Sequence, residues 1–422
     1  MSKSANASGV LRLGLFRRAR QSTAGYPRGF WLLFWGMLIN SAGVSIYWPF
    51  MTIYMRQRLA VPLTTITLLF TVNSLAGMLS SFVAGPAVDR FGRKGAMVLG
   101  LTVSGLAIAT MSVAGTLRVW AVVMVLNGAF NLLYRVGADA MVADLIEPER
   151  RTGAYALLRM VANLGVAIGP SVGGFVAARS YALAFCIAAG AQVLFALLIL
   201  LFMGETMPQR NDVLDQPRGD GGYARLLRDR PFLTFCGVYV LAAMAYSLVM
   251  VLLPVYAKEN FRVSERQSGF IMATNATMVV LFQYGITQVV RRHHHAPVLA
   301  VGALFYALGV GSVAWGWSFP TFVASMAVLT IGEMILVPTS TTLTANLAPP
   351  DMRGRYMSVF NLTWWVGFGL GPVMGGLLND RVAPVAIWYG GMAMALAGAL
   401  GFAALGRWLP DARPRSGQPS TS

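Results

Sequence analysis

The residues Gly165-Val-Ala-Ile-Gly169-Pro170-Ser-Val-Gly173-Gly174 recur 202 positions later as Gly367-Phe-Gly-Leu-Gly371-Pro372-Val-Met-Gly375-Gly376. The same offset, without a gap, also relates residues 143–151 to residues 345–353, where an alanine, a leucine, a proline and an arginine match. Several matches at one offset predict that the chain contains two copies of one structural unit.

Each copy of this stretch lies in an apolar segment, and such segments make up most of the chain. Of the 422 residues, 56% are hydrophobic and 12% are charged, whereas soluble domains carry about 25% charged residues. A helix needs about 20 apolar residues to cross a membrane. Twelve segments meet this condition: 29–53, 64–88, 95–115, 118–145, 153–177, 180–203, 231–256, 266–290, 296–316, 319–346, 354–378 and 384–408. The expected fold is an all-α membrane protein with two pseudo-symmetric bundles of six transmembrane helices.

One long polar segment separates the two bundles. Residues 204–230 contain prolines, glycines and many charges, a composition typical of a linker. We therefore expect an N-terminal bundle at 29–203 and a C-terminal bundle at 231–409. A basic segment, 1–28, precedes them, and a tail, 410–422, follows.

The basic residues predict the orientation. If the N-terminus is cytoplasmic, the cytoplasmic segments hold 23 of the 33 lysines and arginines, and the outer loops hold eight. This bias places both termini in the cytoplasm. We expect the protein to lie in a bacterial inner membrane. It also accounts for the net charge of +17 without a nucleic-acid partner. No cleavable signal peptide is expected, because residues 1–28 lack an apolar core.

The loop after the second span has the sequence Gly85-Pro-Ala-Val-Asp89-Arg90-Phe-Gly92-Arg93-Lys94. Gly92 permits a tight turn, and Asp89 can sit at the positive N-terminal end of a neighbouring helix. Arg90 and Arg93 can pair with acids on the cytoplasmic face, where Asp144 also lies. The loop resembles the G-x-x-x-D-R-x-G-R-K signature of the major facilitator superfamily.

The resemblance extends to the segment Gly165–Gly174, which is similar to the span-five motif of the proton-coupled exporters of that superfamily. Glycines four residues apart allow close helix contact, and proline allows a bend. The second copy indicates a packing role in both halves. The chain thus resembles the twelve-span multidrug/proton antiporter type. One position departs from the pattern: where the family often has an arginine, four residues before Gly128, this chain has Met124.

An ionisable residue deep inside a span is costly and marks a candidate functional site, and three such residues are candidates to bind substrate or a proton. Glu333 is near the middle of the tenth span, and Arg135 and Asp139 are one helical turn apart on the fourth. The resemblance implies that spans 1, 4, 7 and 10 line a cavity, and that these residues face it. We hypothesise that Glu333 exchanges a proton for a cationic substrate, since burial favours the neutral acid and a cation favours the charged form.

Other roles remain open for these groups. Glu333 can be a structural carboxylate bonded to Thr or Tyr, and Arg135 with Asp139 can be a static ion pair instead of a second proton site. The acids and arginines near the cytoplasmic face can serve membrane topology alone, but we interpret them as a cytoplasmic gate. They are Asp89, Arg90, Arg93 and Asp144.

Polar and aromatic residues in the spans are candidates to line the cavity, although each can equally serve packing: Asn40, Tyr47, Trp48, Tyr239, Tyr246, Asn275, Gln283 and Trp364. The tract His293–His295 resembles a metal site, but we interpret it as a degenerate copy of the 85–94 loop. Neither a metal site nor a cofactor is expected. No phosphate-binding loop and no catalytic constellation occur, so an enzyme is not expected.

The sequence therefore predicts a secondary transporter, acting as a monomer in the lipid bilayer, that expels small lipophilic or cationic compounds in exchange for protons. The main alternative is a proton-coupled exporter of one metabolite, such as a sugar or amino-acid derivative. Proton symport and a non-transporting sensor are weaker alternatives.

Overall fold

The computed structural model describes residues 25–206, 223–349 and 352–407. Long helices form the N-terminal half, and a 3₁₀ turn, Trp48–Phe50, interrupts the first of them. They are α1 (Arg28–Leu59), α2 (Leu63–Phe91), α3 (Arg93–Met111), α4 (Leu117–Leu145), α5 (Pro148–Ala177) and α6 (Tyr181–Phe202).

The C-terminal half repeats this arrangement. Its helices are α7 (Arg230–Phe261), α8 (Glu265–Val290), α9 (His295–Trp315), α10 (Phe319–Leu347), α11 (Arg353–Arg381) and α12 (Ala386–Leu405). Among the described residues, eleven helices are long and apolar enough to cross a membrane. The exception, α11, has 29 residues, but glycines and terminal charges lower its apolarity. The twelve-helix prediction of two six-helix bundles is confirmed.

The segments predicted to precede, join and follow the two bundles lie mainly outside the described residues. This applies to most of 1–28 and of the linker 204–230, and to the tail 410–422. Within the linker, Tyr223–Leu226 forms one helical turn.

Several helices are longer than the apolar runs that predicted them. The first span was expected to end at residue 53, but the helix continues to Leu59, because backbone hydrogen bonding does not stop where the side chains become polar. Backbone geometry ends it instead: Ala60 is left-handed, with φ of 51°. Gly92, with φ of 81°, ends α2 and provides the expected tight turn.

Consecutive helices run in alternating directions, so the bundle has two faces. We call the face where α1 begins and α12 ends the terminal face, and the opposite one the distal face. The halves meet along two helix pairs, α2 with α11 and α5 with α8. These pairs are related by the repeat.

The repeated glycines explain how each half is held together and how it meets the other. A Cβ atom on Gly165, Gly169 or Gly173 would lie 2.2–2.8 Å from atoms of α1, and the same holds for Gly367, Gly371 and Gly375 against α7, at 2.2–2.5 Å. The last glycine of each motif instead contacts the opposite half. Gly174 faces the start of α8 and Gly376 faces the start of α2. The motif therefore packs span five of each half against its first helix and against the partner half.

Candidate functional site

Glu333 lies at half depth in the C-terminal half. It is fourteen residues from Phe319 and fourteen from Leu347, the two ends of α10, or about 21 Å from each. Its side chain is partly buried between α7, α8 and α9. A carboxyl group at this depth is expensive unless other groups satisfy it.

Asn275 on α8 is the principal partner of this carboxylate. Its Nδ2 donates to Glu333 Oε2 at 2.5 Å and to Thr330 Oγ1 at 3.1 Å. The Tyr246 hydroxyl of α7 also lies close to Glu333. The carboxylate thus has a hydrogen-bond donor from α8 and a hydroxyl of α7 near it.

A cluster of aromatic rings lies beside this polar group. Tyr246 stacks on Tyr306 with ring centroids 5.6 Å apart and meets Trp364 edge-on at 5.7 Å. Tyr239 lies 6.0 Å from Trp364, and Phe368 lies 6.0 Å from the same ring. One carboxylate beside a group of aromatic faces is an arrangement that can hold an organic cation.

Pro338 explains the role of a further candidate, Gln283. A proline inside a helix has no N–H, so the carbonyl four residues earlier loses its usual partner. That carbonyl belongs to Met334, and Gln283 Nε2 donates to it at 3.1 Å. Gln283 therefore has a structural bond between α8 and α10.

The N-terminal half carries an equivalent polar group without a carboxylate. Asn73 is the repeat counterpart of Asn275, and its Nδ2 donates to Met124 O at 2.9 Å. Asn127 lies 3.4 Å from Asn73 and donates to Ser104 Oγ at 3.0 Å. Asn131 stands where the C-terminal half has Glu333. The two copies thus keep an interhelical asparagine, and one of them adds an acid.

Two other candidates in the N-terminal half contact aromatic residues of that half, Tyr47 inside the core and Trp48 at its edge. Tyr47 is 2% exposed and lies 5.3 Å from the ring of Phe185, and Trp48 meets Phe70 edge-on at 5.6 Å. Asn40 is buried, and its Oδ1 has no hydrogen-bond partner among the described residues.

Arg135 and Asp139 lie on an exposed face of α4, although both are inside the span. Gly137, between them, packs on α3. Arg135 and Asp139 are each two residues from Gly137, so their side chains point about 200° around the helix from that contact. Tyr155 of α5 donates to the Asp139 backbone carbonyl at 2.8 Å. The two side chains are not joined by an ion pair of 4.0 Å or less in the described part of the chain. Asp139 is six residues from the terminal end of α4, about 9 Å.

The residues predicted to form a gate meet at the terminal face. Arg93 pairs with Asp144 at 3.0 Å and with Asp89 at 3.3 Å, while Arg90 lies over the ring of Phe91. All these contacts are within the N-terminal half, so in this conformation they join its helices to one another.

The N-terminus of α3 is occupied by an acid that the sequence did not single out. Glu205 accepts the backbone N–H groups of Arg93 at 2.9 Å and Lys94 at 3.2 Å. Asp89 was expected at such a helix end, but it lies on the last turn of α2 and bonds to Arg93 instead. The only feature of the sequence that could have indicated this helix cap was an acidic residue directly after the sixth span.

At the distal face, an aspartate joins the halves. Asp380, near the end of α11, accepts the backbone N–H groups of Leu63 at 3.3 Å and Thr64 at 2.8 Å, and the Thr64 hydroxyl at 2.7 Å. The residue preceding α2 is Pro62, which offers no side-chain cap. Asp380 therefore caps α2 from the opposite half.

Further contacts close the distal face. Arg56 pairs with Glu259 at 3.0 Å. Tyr181 of α6 donates to Glu265 at 2.5 Å, and Lys258 bonds to both of them. Arg56–Glu259, Tyr181–Glu265 and Lys258–Tyr181 link the halves in their distal part, while Arg135 and Asp139 are exposed nearer the terminal face. The geometry is that of a bundle closed on the distal side.

The described residues contain no group of three or more His, Cys, Asp or Glu side chains placed to hold a metal ion. His293 Nδ1 lies 3.0 Å from the Val289 carbonyl, as in an ordinary helix end.

A comparison of the sequence with protein families gives two matches. The profile of the Major Facilitator Superfamily matches residues 33–239 and again residues 235–422. The chain belongs to the Major Facilitator Superfamily. It is therefore a multi-pass membrane transporter, and the resemblance seen in the 85–94 loop is confirmed.

Related proteins extend this result. A Na(+), Li(+), K(+)/H(+) antiporter of Planococcus maritimus is 26% identical over 392 residues, which cover 84% of this chain and 88% of the relative. Multidrug resistance protein MdtH of Escherichia coli O1:K1 / APEC is 27% identical over 303 residues, which cover 70% of this chain and 73% of that protein.

Solved structures share the fold. The nucleoside transporter NupG superposes with a TM-score of 0.77 at 13% identity, covering 89% of this chain and 99% of that one. A POT family transporter superposes with a TM-score of 0.76 at 17% identity, covering 90% and 96%. At these identities the likeness establishes the architecture alone.

Proposed function

We propose that this Major Facilitator Superfamily protein exports small lipophilic or cationic compounds in exchange for protons. It acts by alternating access, as a monomer and not as an enzyme, in a bacterial inner membrane. The observation that carries this proposal is Glu333, a carboxylate at half depth that is bonded to Asn275 and lies beside a cluster of aromatic rings.

The chemistry of exchange follows from competition for one group. A cation near the Glu333 carboxylate stabilises its charged form, whereas in the absence of a cation the apolar surroundings favour the protonated form. Substrate and proton therefore exclude each other at the same site. Asp139 is a second candidate to carry a proton, with Arg135 beside it. The repeat alignment of α4 with α10 places Asp139 about 12 Å nearer the terminal face than Glu333.

The direction of export rests on orientation. The basic loops favour a cytoplasmic terminal face, and both termini then lie inside. The closed distal face would correspond to a conformation open to the cytoplasm, in which substrate enters. Arg93 with Asp89 and Asp144 would form the gate that closes this side in the other half of the cycle.

A second candidate function is exchange of an alkali cation for protons. The relative from Planococcus maritimus carries that name, and the Glu333, Thr330 and Tyr246 oxygens are the kind of ligand that hard cations prefer. The two functions differ in the size of cation that must displace the proton.

The test uses purified protein in liposomes with an imposed pH gradient. Uptake of a fluorescent lipophilic cation is followed for the parent and for Glu333→Gln, with Asp139→Asn in parallel. We expect gradient-driven uptake in the parent and its loss in Glu333→Gln. If the parent moves no organic cation under any gradient, drug export is wrong. Proton release from the vesicles on adding Na⁺ or K⁺ then tests the second function.

A further inference from the structure

Tyr306 on α9 carries a buried hydroxyl with no hydrogen-bond partner among the described residues. Its side chain is 2% exposed. Buried polar groups are nearly always hydrogen-bonded, so one that is not calls for an explanation.

The position of this hydroxyl supplies one. The Tyr306 ring stacks on Tyr246, which lies close to Glu333, so the hydroxyl belongs to the same cluster of side chains as the carboxyl group. The residue before Glu333 is Gly332, and a Cβ there would lie 2.7 Å from the edge of the Tyr306 ring. The absence of a side chain at 332 thus allows the tyrosine ring to pack against α10 one residue before Glu333.

The groups that bond to Glu333 in this structure suit its ionised form. Asn275 Nδ2 donates to it, and the Tyr246 hydroxyl can donate as well. An ionised carboxylate only accepts hydrogen bonds, whereas a protonated one also carries an O–H that needs an acceptor. The Tyr306 oxygen is a buried acceptor of this cluster that no described residue uses.

We propose that the Tyr306 hydroxyl accepts the hydrogen bond of protonated Glu333 and so sets the pH at which the transporter takes up its proton. Tyr306 is then a positioning residue, and this role rests on the proposed function of Glu333. The groups that face Glu333 are Tyr239 and Tyr246 from α7, Tyr306 from α9, Asn275 from α8 and its own helix neighbour Thr330. All are uncharged at neutral pH, so hydrogen bonding decides between the two forms.

The test is an infrared titration of the full-length protein, following the C=O band of the protonated carboxyl. The band that disappears in Glu333→Gln belongs to Glu333. In Tyr306→Phe we expect its pH midpoint to fall by about 0.5–1 pH unit, or about 0.7–1.4 kcal/mol at 1.36 kcal/mol per unit, because the protonated form loses its acceptor. We also expect the band to shift to higher frequency.

Two variants make the result specific. Tyr246→Phe removes a donor to the ionised form, so its midpoint should rise, opposite to that of Tyr306→Phe. Ser268→Ala removes another buried hydroxyl that has no partner in the described part of the chain, about 10 Å from Asn275 along α8, and should leave the midpoint unchanged.

Unchanged midpoint and band position in Tyr306→Phe overturn this proposal and leave the role of Glu333 intact. A carboxyl band that survives in Glu333→Gln means instead that another acid carries the proton, and the proposed function loses its site. If Tyr306→Phe does not accumulate, Tyr306→Met removes the same oxygen and is judged by the same criteria.

Discussion

Replacing Asp380 with alanine removes the acceptor that the C-terminal half places on the N-terminus of α2. Three hydrogen bonds are lost, from the Leu63 and Thr64 backbone and the Thr64 hydroxyl. Losing a helix cap costs about 1 kcal/mol, with a range of about 0.5–2. This cap exists only while the distal face is closed, so the whole cost falls on the closed conformation.

The size of the population shift follows because only the closed conformation loses this free energy. At 1.4 kcal/mol per factor of ten, the ratio of distal-open to distal-closed molecules should rise about 5-fold, within a range of about 2- to 30-fold. Asp380→Asn keeps an oxygen but loses the charge, so its effect should be smaller.

The assay is a distance measurement between spin labels across the distal face. Val113 and Trp317 are 71% and 70% exposed and lie in opposite halves, so cysteines at these positions can carry the labels. The background lacks the native Cys186 and Cys236. The population at long distance should increase in Asp380→Ala.

The repeat provides a matched control. Ser264 caps α8 at the equivalent place, but from its own chain segment. Ser264→Ala should lower the thermal stability without opening the distal face. If Asp380→Ala leaves the distance distribution unchanged, or if both variants open the face equally, the cross-half cap does not control the equilibrium.

Three further predictions concern packing and charge. Gly371→Val should strongly lower the thermal unfolding temperature, because a Cβ already lies 2.2 Å from Ser247 Oγ, whereas Gly285→Val, with open space around it, should fold as the parent. Gln283→Leu leaves the Met334 carbonyl without its donor and should destabilise by about 1–3 kcal/mol in the same assay. Asp144→Asn should barely change unfolding, since an exposed ion pair contributes about 0–1 kcal/mol, yet slow liposome transport. Normal transport would contradict its role as a gate.

The sequence predicted the architecture because its signals are local and repeated. The apolar runs are long, and the glycine motif recurs at one offset with its packing role intact at Gly169 and Gly371. The helix ends were less accurate, because residues such as Ala60 end a helix through backbone geometry, not through polarity.

The site was only partly predictable. Glu333 and Asn275 stood out as polar residues in apolar spans, and they bond to each other. Tyr47 and Trp48 have the same chemistry, but they contact Phe185 and Phe70 in the N-terminal half, because the sequence does not show which side of a helix faces which neighbour. Glu205 and Asp380 were missed, since each caps a helix that is distant in the sequence.

The way the two halves cap each other also bears on the duplication from which they arose. Two N-terminal halves assembled as a dimer would bring Ala178, the counterpart of Asp380, to the start of α2 and leave its amides without an acceptor. Two C-terminal halves would bring Asp380 towards Glu265, the counterpart of Leu63, and two negative charges would meet. The distal cap is therefore a contact that only the two unlike halves can make, and a dimer of either half alone would lack it.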